Sequence, residues 1–159
     1  MHAPVHPRLR FLVPALIAGL ASALSAGGAA GKPNLVFLFS DDQTARAVGC
    51  YGNPEIQTPH LDRLAGDGVR FTNHYNTTSI CMASRASVMT GLYEYRHGCN
   101  FEHGDLERRF FADAYPMRLR AAGYFTGFAG KIGFVLQGEP FEALAPLFDR
   151  WAGGPGQTF

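Results

Sequence analysis

The chain has almost no net charge: 14 basic against 13 acidic side chains leave a formal +1. A nucleic-acid binder carries a strongly basic footprint, so that class is excluded. Cysteine is scarce and odd in number, at three. An odd count excludes a pure disulfide framework, and no Cys-x-x-Cys pair is present for dithiol redox chemistry. Long hydrophobic runs are missing too. The apolar run Phe11–Leu24 is interrupted by Pro14 and Gly19 and is too short for a stable membrane span, which takes about 20 residues. His74, His97 and His103 sit in no metal-ligand spacing such as His-x₃-His, and read as surface or satisfied core histidines. No internal repeat is visible. What remains is ordinary for a soluble globular protein, 47% hydrophobic and 17% charged, long enough for one modest core.

Residues 1–30 differ from the rest. Arg8 and Arg10 precede the apolar run, and the small residues Ser25 to Ala30 follow it. That order is the pattern of a secretory signal peptide and implies export to a periplasmic or extracellular space. An uncleaved anchor is the alternative. Ala21-Ser22-Ala23 and the later small residues offer several cleavage points. In an oxidising compartment Cys50 and Cys99 could form a bridge. Both could equally be small buried hydrophobes.

Further on, strands and helices alternate, which argues for an α/β layer fold. Leu35–Phe39 is a continuous apolar run and reads as a strand buried on both faces, as in a parallel sheet. It stops at Asp41-Asp42, at the strand edge where open α/β sheets bind ligands. Thr58-Pro59 reads as a helix N-cap with proline in the first turn, and Gly66 or Gly68 ends that helix. Val69–Phe71 reads as extended. Ser84–Met89 reads as a helix closed by Gly91, and Arg108–Ala122 as another, with Pro116 near its start. Tyr124–Phe128 is a second strand candidate. The chain ends in a Gly/Pro turn sequence, which gives the expectation of a fragment. Asn76-Thr77-Thr78 fits the N-glycosylation sequon.

Four residues carry the chemistry. Cys81 precedes the predicted helix, with Ser84 and Arg85 in its first turn. A helix N-terminus offers N–H groups and a partial positive charge to an anion, and Arg85 adds a fixed planar cation. A buried structural cysteine or a thiolate nucleophile would fit the same position. Asp41 and Asp42 are hard oxygen donors that suit Ca²⁺ or Mg²⁺, or else solvated loop carboxylates or an N-cap.

Taken together these segments resemble the type I sulfatases. Cys81-Met82-Ala83-Ser84-Arg85, followed by Met89-Thr90-Gly91, is similar to that family's Cys-x-Pro/Ala-x-Arg helix. Gly123-Tyr124-x-Thr126, followed by Gly130-Lys131, resembles its second motif, with Gly133 standing where many members have histidine. The strand ending in Asp41-Asp42, the Thr58-Pro59…Gly68-Val69-Arg70-Phe71-Thr72 stretch, and the Phe148-Asp149-Arg150-Trp151 region extend the likeness over residues 33–159.

The resemblance implies an alkaline-phosphatase-like three-layer α/β/α sandwich with a mostly parallel sheet, here incomplete. It makes residues 32–159 the N-terminal part of a sulfatase catalytic domain, truncated at the C-terminus. It also implies that a maturation enzyme oxidises Cys81 to formylglycine, whose hydrated aldehyde attacks sulfate esters. Ca²⁺ would be held by Asp41, Asp42 and the residue-81 oxygen, with Arg85 and Lys131 at the sulfate. The substrate would be a sulfated carbohydrate or an aryl sulfate. A phosphate or phosphonate monoester hydrolase of the same superfamily, and a non-catalytic anion-binding module, are the competing readings.

Overall fold

The computed structural model describes residues 31–156; the predicted signal peptide lies outside them. Two compact units divide the chain at Ser40 and Asp41. In the first, the Phe37 and Phe39 rings stack 5.9 Å apart. Residues 35–39 do not form the expected buried strand. They carry no ladder, and Val36 and Leu38 are 82% and 80% exposed. A two-faced apolar strand exists only where neighbouring strands supply its hydrogen bonds and covering layers bury its faces.

From Asp41 onward five α-helices form: α1 (Pro59–Asp67), α2 (Cys81–Thr90), α3 (Glu94–His97), α4 (Arg108–Ala112) and α5 (Tyr115–Ala121). They are joined by the strands β1 (Gly127–Lys131) and β2 (Arg150–Gly154) and by short 3₁₀ turns, among them Phe141–Leu147. The strands pair in parallel, with Phe128 beside Trp151 and Lys131 beside Gly154. A single parallel bridge joins Leu106 to Leu136.

Helix α2 is the centre of this unit. Met82, Ala86 and Met89 join a core with Cys99, Leu106, Phe111, Ala114, Ile132, Phe134, Leu136, Leu144 and Phe148. Small residues at Ala83, Ser84 and Ala86 let neighbouring elements approach its backbone, and all three are buried. The helix starts three residues earlier than the sequence predicts, so Cys81 is its first residue. It stops at Gly91, which takes the left-handed conformation (φ 72°) and returns its N–H to the Ser87 carbonyl at 2.8 Å. Thr90 Oγ1 donates to the Ala86 carbonyl at 2.7 Å, which explains the Thr-Gly ending.

Three other expectations need correction. The predicted helix 108–122 is two helices, broken at Asp113-Ala114. Pro116 has no N–H and its ring would clash with a preceding helical carbonyl, so it must sit in the first turn of a new helix. The second strand runs Gly127–Lys131 rather than Tyr124–Phe128, because its pairing with β2 sets the limits. Stacking of Phe128 on Trp151, 5.1 Å apart, and Phe148 beside both holds these glycine-rich strands together. The extended segment read at 69–71 joins no ladder, and Val69 and Phe71 are exposed.

Thr58 does precede α1 and Pro59 opens it, but the Thr58 hydroxyl does not cap that helix. It accepts from the Gly49 N–H at 2.8 Å and donates to Asp62 Oδ1 at 3.0 Å, fastening the preceding loop instead.

Candidate active site

The chemistry converges at the start of α2. Arg85, 8% exposed, lies one turn after Cys81 on the same helix face. Its guanidinium Nη1 donates to the Lys131 carbonyl at 2.5 Å, and Nη2 is 3.7 Å from Asp41 Oδ2. The Lys131 ammonium donates to the same Asp41 oxygen at 2.6 Å. Three residues 90 positions apart in sequence, Asp41 to Lys131, thus meet beside the helix N-terminus.

The Lys131 hydrogen bond to Asp41 raises its pKa above the ordinary lysine value, and the nearby Cys81 adds to the shift. Lys131 therefore stays protonated through the neutral range and serves as a fixed cation. Arg85 adds a planar guanidinium cation. With Asp41 ionised, the trio holds one surplus positive charge, next to the partial positive charge of the helix end. No side chain caps the N-terminus of α2, since the preceding residue is Ile80. The arrangement is suited to an anionic group brought to Cys81.

The cysteine itself is half-buried and unbridged. Asp42 is exposed in the left-handed region (φ 53°), a conformation that aspartate tolerates better than most residues. Asp41, Asp42 and Cys81 do not come together as a cluster of three ligand side chains among the described residues. The two aspartates match calcium in kind, being hard oxygen donors, while the Cys81 thiol is a soft sulfur that does not, and two carboxylates fall short of the roughly 6–8 oxygens that calcium takes. The Cys81 thiol is partly accessible and lies close enough to Lys131 to feel its charge.

Two groups that look chemical are structural. The His97 ring is buried; Nδ1 accepts from the Cys99 N–H at 3.0 Å, so Nε2 carries the proton toward Ser87 Oγ, also at 3.0 Å. A histidine that donates to a serine cannot activate it. Cys99 is fully buried, and desolvation pushes its thiol up to about 12, so it forms no thiolate. Cys50 is also a free thiol, so the bridge allowed by the sequence is not made.

Burial lowers the pKa of His97, which sets a pH dependence. Below the ordinary value of 6.5 the unfolded chain binds the proton more readily than the folded one. This stability is present above pH 6.5 and lost as pH falls toward the folded pKa. The thermal midpoint should drop between about pH 7 and pH 5, and His97→Gln should flatten that slope. An unchanged slope in the variant would contradict it.

Sequence reasoning missed two supports of the site. Asn76 Nδ2 donates to Ser84 Oγ at 2.8 Å, tying the approach segment to α2. Asp149 accepts from the Thr126 N–H at 2.8 Å and from its hydroxyl at 3.0 Å, and pairs with Arg120. The Thr126 backbone bond is the main reason that the Asp149 carboxyl is held below its usual pKa. Thr126 was visible as a motif residue, and the structure gives its physical purpose: it fixes the entry to β1, whose far end is Lys131.

The two-stranded parallel sheet with its helices is an unclosed part of an alkaline-phosphatase-like α/β fold, the fold of the sulfatase and phosphonate hydrolase structures that it resembles. Residues 33–143 match the Sulfatase family, and the chain belongs to that family. It is 35% identical over 113 residues to N-acetylglucosamine-6-O-sulfatase of Bacteroides thetaiotaomicron, covering 70% of this chain and 20% of that protein. It is 41% identical over 128 residues to arylsulfatase A of Homo sapiens, covering 77% of this chain and 24% of that protein.

Among solved structures, one described as a complex with its substrate D-glucosamine-2-N,6-O-disulfate superposes with a TM-score of 0.62 at 34% identity, over 75% of this chain and 22% of that one. The phosphonate monoester hydrolase of Agrobacterium radiobacter gives 0.61 at 27% identity, over 72% and 24%. The chain thus spans about a fifth to a quarter of the length of these relatives.

Proposed function

We propose that residues 32–159 form the N-terminal, nucleophile-bearing part of a sulfatase catalytic domain that hydrolyses sulfate esters at residue 81. The carrying observation is the meeting of Cys81, Arg85, Lys131 and Asp41 at the start of α2. Family membership and the sulfatase names of the relatives support the same reading.

Each residue then has a task. Cys81 presents its side chain where the helix end and two cations meet. Formylglycine at that position, made by a maturation enzyme that binds the Cys81–Arg85 segment, would supply a hydrated carbonyl able to attack sulfur and release sulfate again. Arg85, anchored at both ends of its guanidinium fork, offers a planar donor set to a tetrahedral oxyanion. Lys131 neutralises charge as a point cation. Asp41 holds Lys131 and Arg85 in register. Asp41 and Asp42, with residue 81, would hold part of a calcium shell, which would add positive charge at the reacting oxygen.

The protein is exported on this reading, through the signal-like residues 1–30. No helix among the described residues is long and apolar enough to cross a membrane. The substrate class is a sulfated carbohydrate or an aryl sulfate, the former favoured by the carbohydrate sulfatases among the relatives.

The test is a comparison of kcat/KM on an aryl sulfate and the matching aryl phosphate, with protein co-produced with a formylglycine-generating enzyme. Preference for the sulfate is expected. Preference for the phosphate would favour a phosphate or phosphonate monoester hydrolase, the reading that the Agrobacterium structure supports. For the 159-residue chain alone, calorimetry with Ca²⁺ should show only weak binding, because the donors are too few. Tight one-to-one binding would refute that.

A further inference from the structure

Gly133 is the position where this chain departs from its family motif, and the structure gives the departure a physical content. Its backbone is left-handed, with φ of 83°. A Cβ built there would lie 2.6 Å from Arg85 Cδ and 3.5 Å from Arg85 Nε. Real Cβ atoms do not approach that closely, so the stem of Arg85 occupies the volume that any side chain at 133 would need. The same stem carries the guanidinium to the Lys131 carbonyl, two residues before Gly133, and toward Asp41.

We propose that Gly133 is a positioning residue that acts through Arg85: by having no side chain it lets Arg85 lie across the 131–133 turn and aim its fork at the anion beside Cys81. The inference rests on the reading of this cluster as the substrate-anion site. It follows that residue 133 performs no proton transfer in this protein. A histidine placed there would not restore a lost function; it would displace Arg85. The nearby glycines sharpen the point. Gly138 is also left-handed, with φ of 75°, yet a Cβ there meets nothing within 4 Å. Backbone strain on substitution is therefore common to both positions, and the contact with Arg85 is peculiar to Gly133.

The experiment uses that difference. Gly133→Ala and Gly138→Ala are compared by thermal unfolding, each alone and with Arg85→Ala. Gly133→Ala should lower the midpoint by at least about 3 °C more than Gly138→Ala, and the excess should vanish once Arg85 is shortened. Equal shifts, or an excess that persists without Arg85, overturn the packing claim. If Arg85→Ala does not fold, the Arg85 Nε–H resonance in Gly133→Ala decides, since an unshifted resonance also overturns it.

Positioning is read separately, from the midpoint rise given by millimolar inorganic sulfate over chloride at equal ionic strength. The rise should be present in the parent protein, retained in Gly138→Ala and lost in Gly133→Ala. A full rise in Gly133→Ala reduces Gly133 to a packing residue and overturns the proposal. No rise in the parent protein overturns the anion-site reading, and the positioning role with it, whatever the unfolding cycle shows about packing.

Discussion

In an active full-length form of the protein, Cys81→Ser is expected to abolish turnover of sulfate esters, with a loss on the order of 10⁴-fold or more, typical of removing a catalytic nucleophile. The substitution changes one atom at the first residue of α2 and leaves the cations Arg85 and Lys131 in place. Binding should therefore survive while chemistry fails, so kcat falls far more than KM changes. A serine hydroxyl at that place could attack sulfur once. It has no second oxygen with which to expel the sulfate, and it would stall after a single event. Steady multiple turnover by the serine variant would sink the idea that residue 81 carries the reaction.

The second large effect concerns stability. Phe111→Ala should cost about 3–5 kcal/mol, the usual range for emptying a buried phenylalanine site. Phe111 is 1% exposed. Its ring meets Phe134 edge-on at 6.0 Å and Phe148 at 6.3 Å, so its removal opens the middle of the aromatic cluster. A domain of this size holds only about 5–15 kcal/mol in total. The variant should therefore show a sharply lowered urea midpoint with an unchanged slope. A loss below about 1 kcal/mol would mean that the core is not centred where the structure puts it.

Much of the site was legible in the sequence because its chemistry is local. Cys81 and Arg85 sit one helical turn apart, and the small residues between them and Gly91 after them announce a tightly packed helix. Lys131 and Asp41 carry no such local signal. Asp41 stood out as a strand-end carboxylate and Lys131 entered through the resemblance, but nothing local joined two residues 90 positions apart. The close contact of Gly133 with Arg85 was invisible for the same reason: a clash with a side chain that is distant in sequence leaves no trace in local pattern.

The fold was less legible than the site. Leu35–Phe39 has the composition of a buried strand, but strand formation depends on partners, and these residues form no ladder. Gly127–Lys131 shows the converse. Only Gly127 and Phe128 fell within the strand candidate, yet the strand continues through Ala129-Gly130-Lys131 because Phe128 stacks on Trp151 and β2 lies alongside. Helices followed the sequence except at the single turn Glu94–His97, which was not read at all, and where Pro116 forces a break, a rule that reading the proline as a first-turn residue of a later helix would have satisfied.

The most direct test of the central claim is the mass of the tryptic peptide Phe71–Arg85, which contains Cys81, from protein made in a host with an active formylglycine-generating enzyme. The account predicts an aldehyde at position 81, seen as the formylglycine mass and as capture by a hydrazide reagent. An intact thiol throughout, in a host that demonstrably matures a control sulfatase, would contradict it.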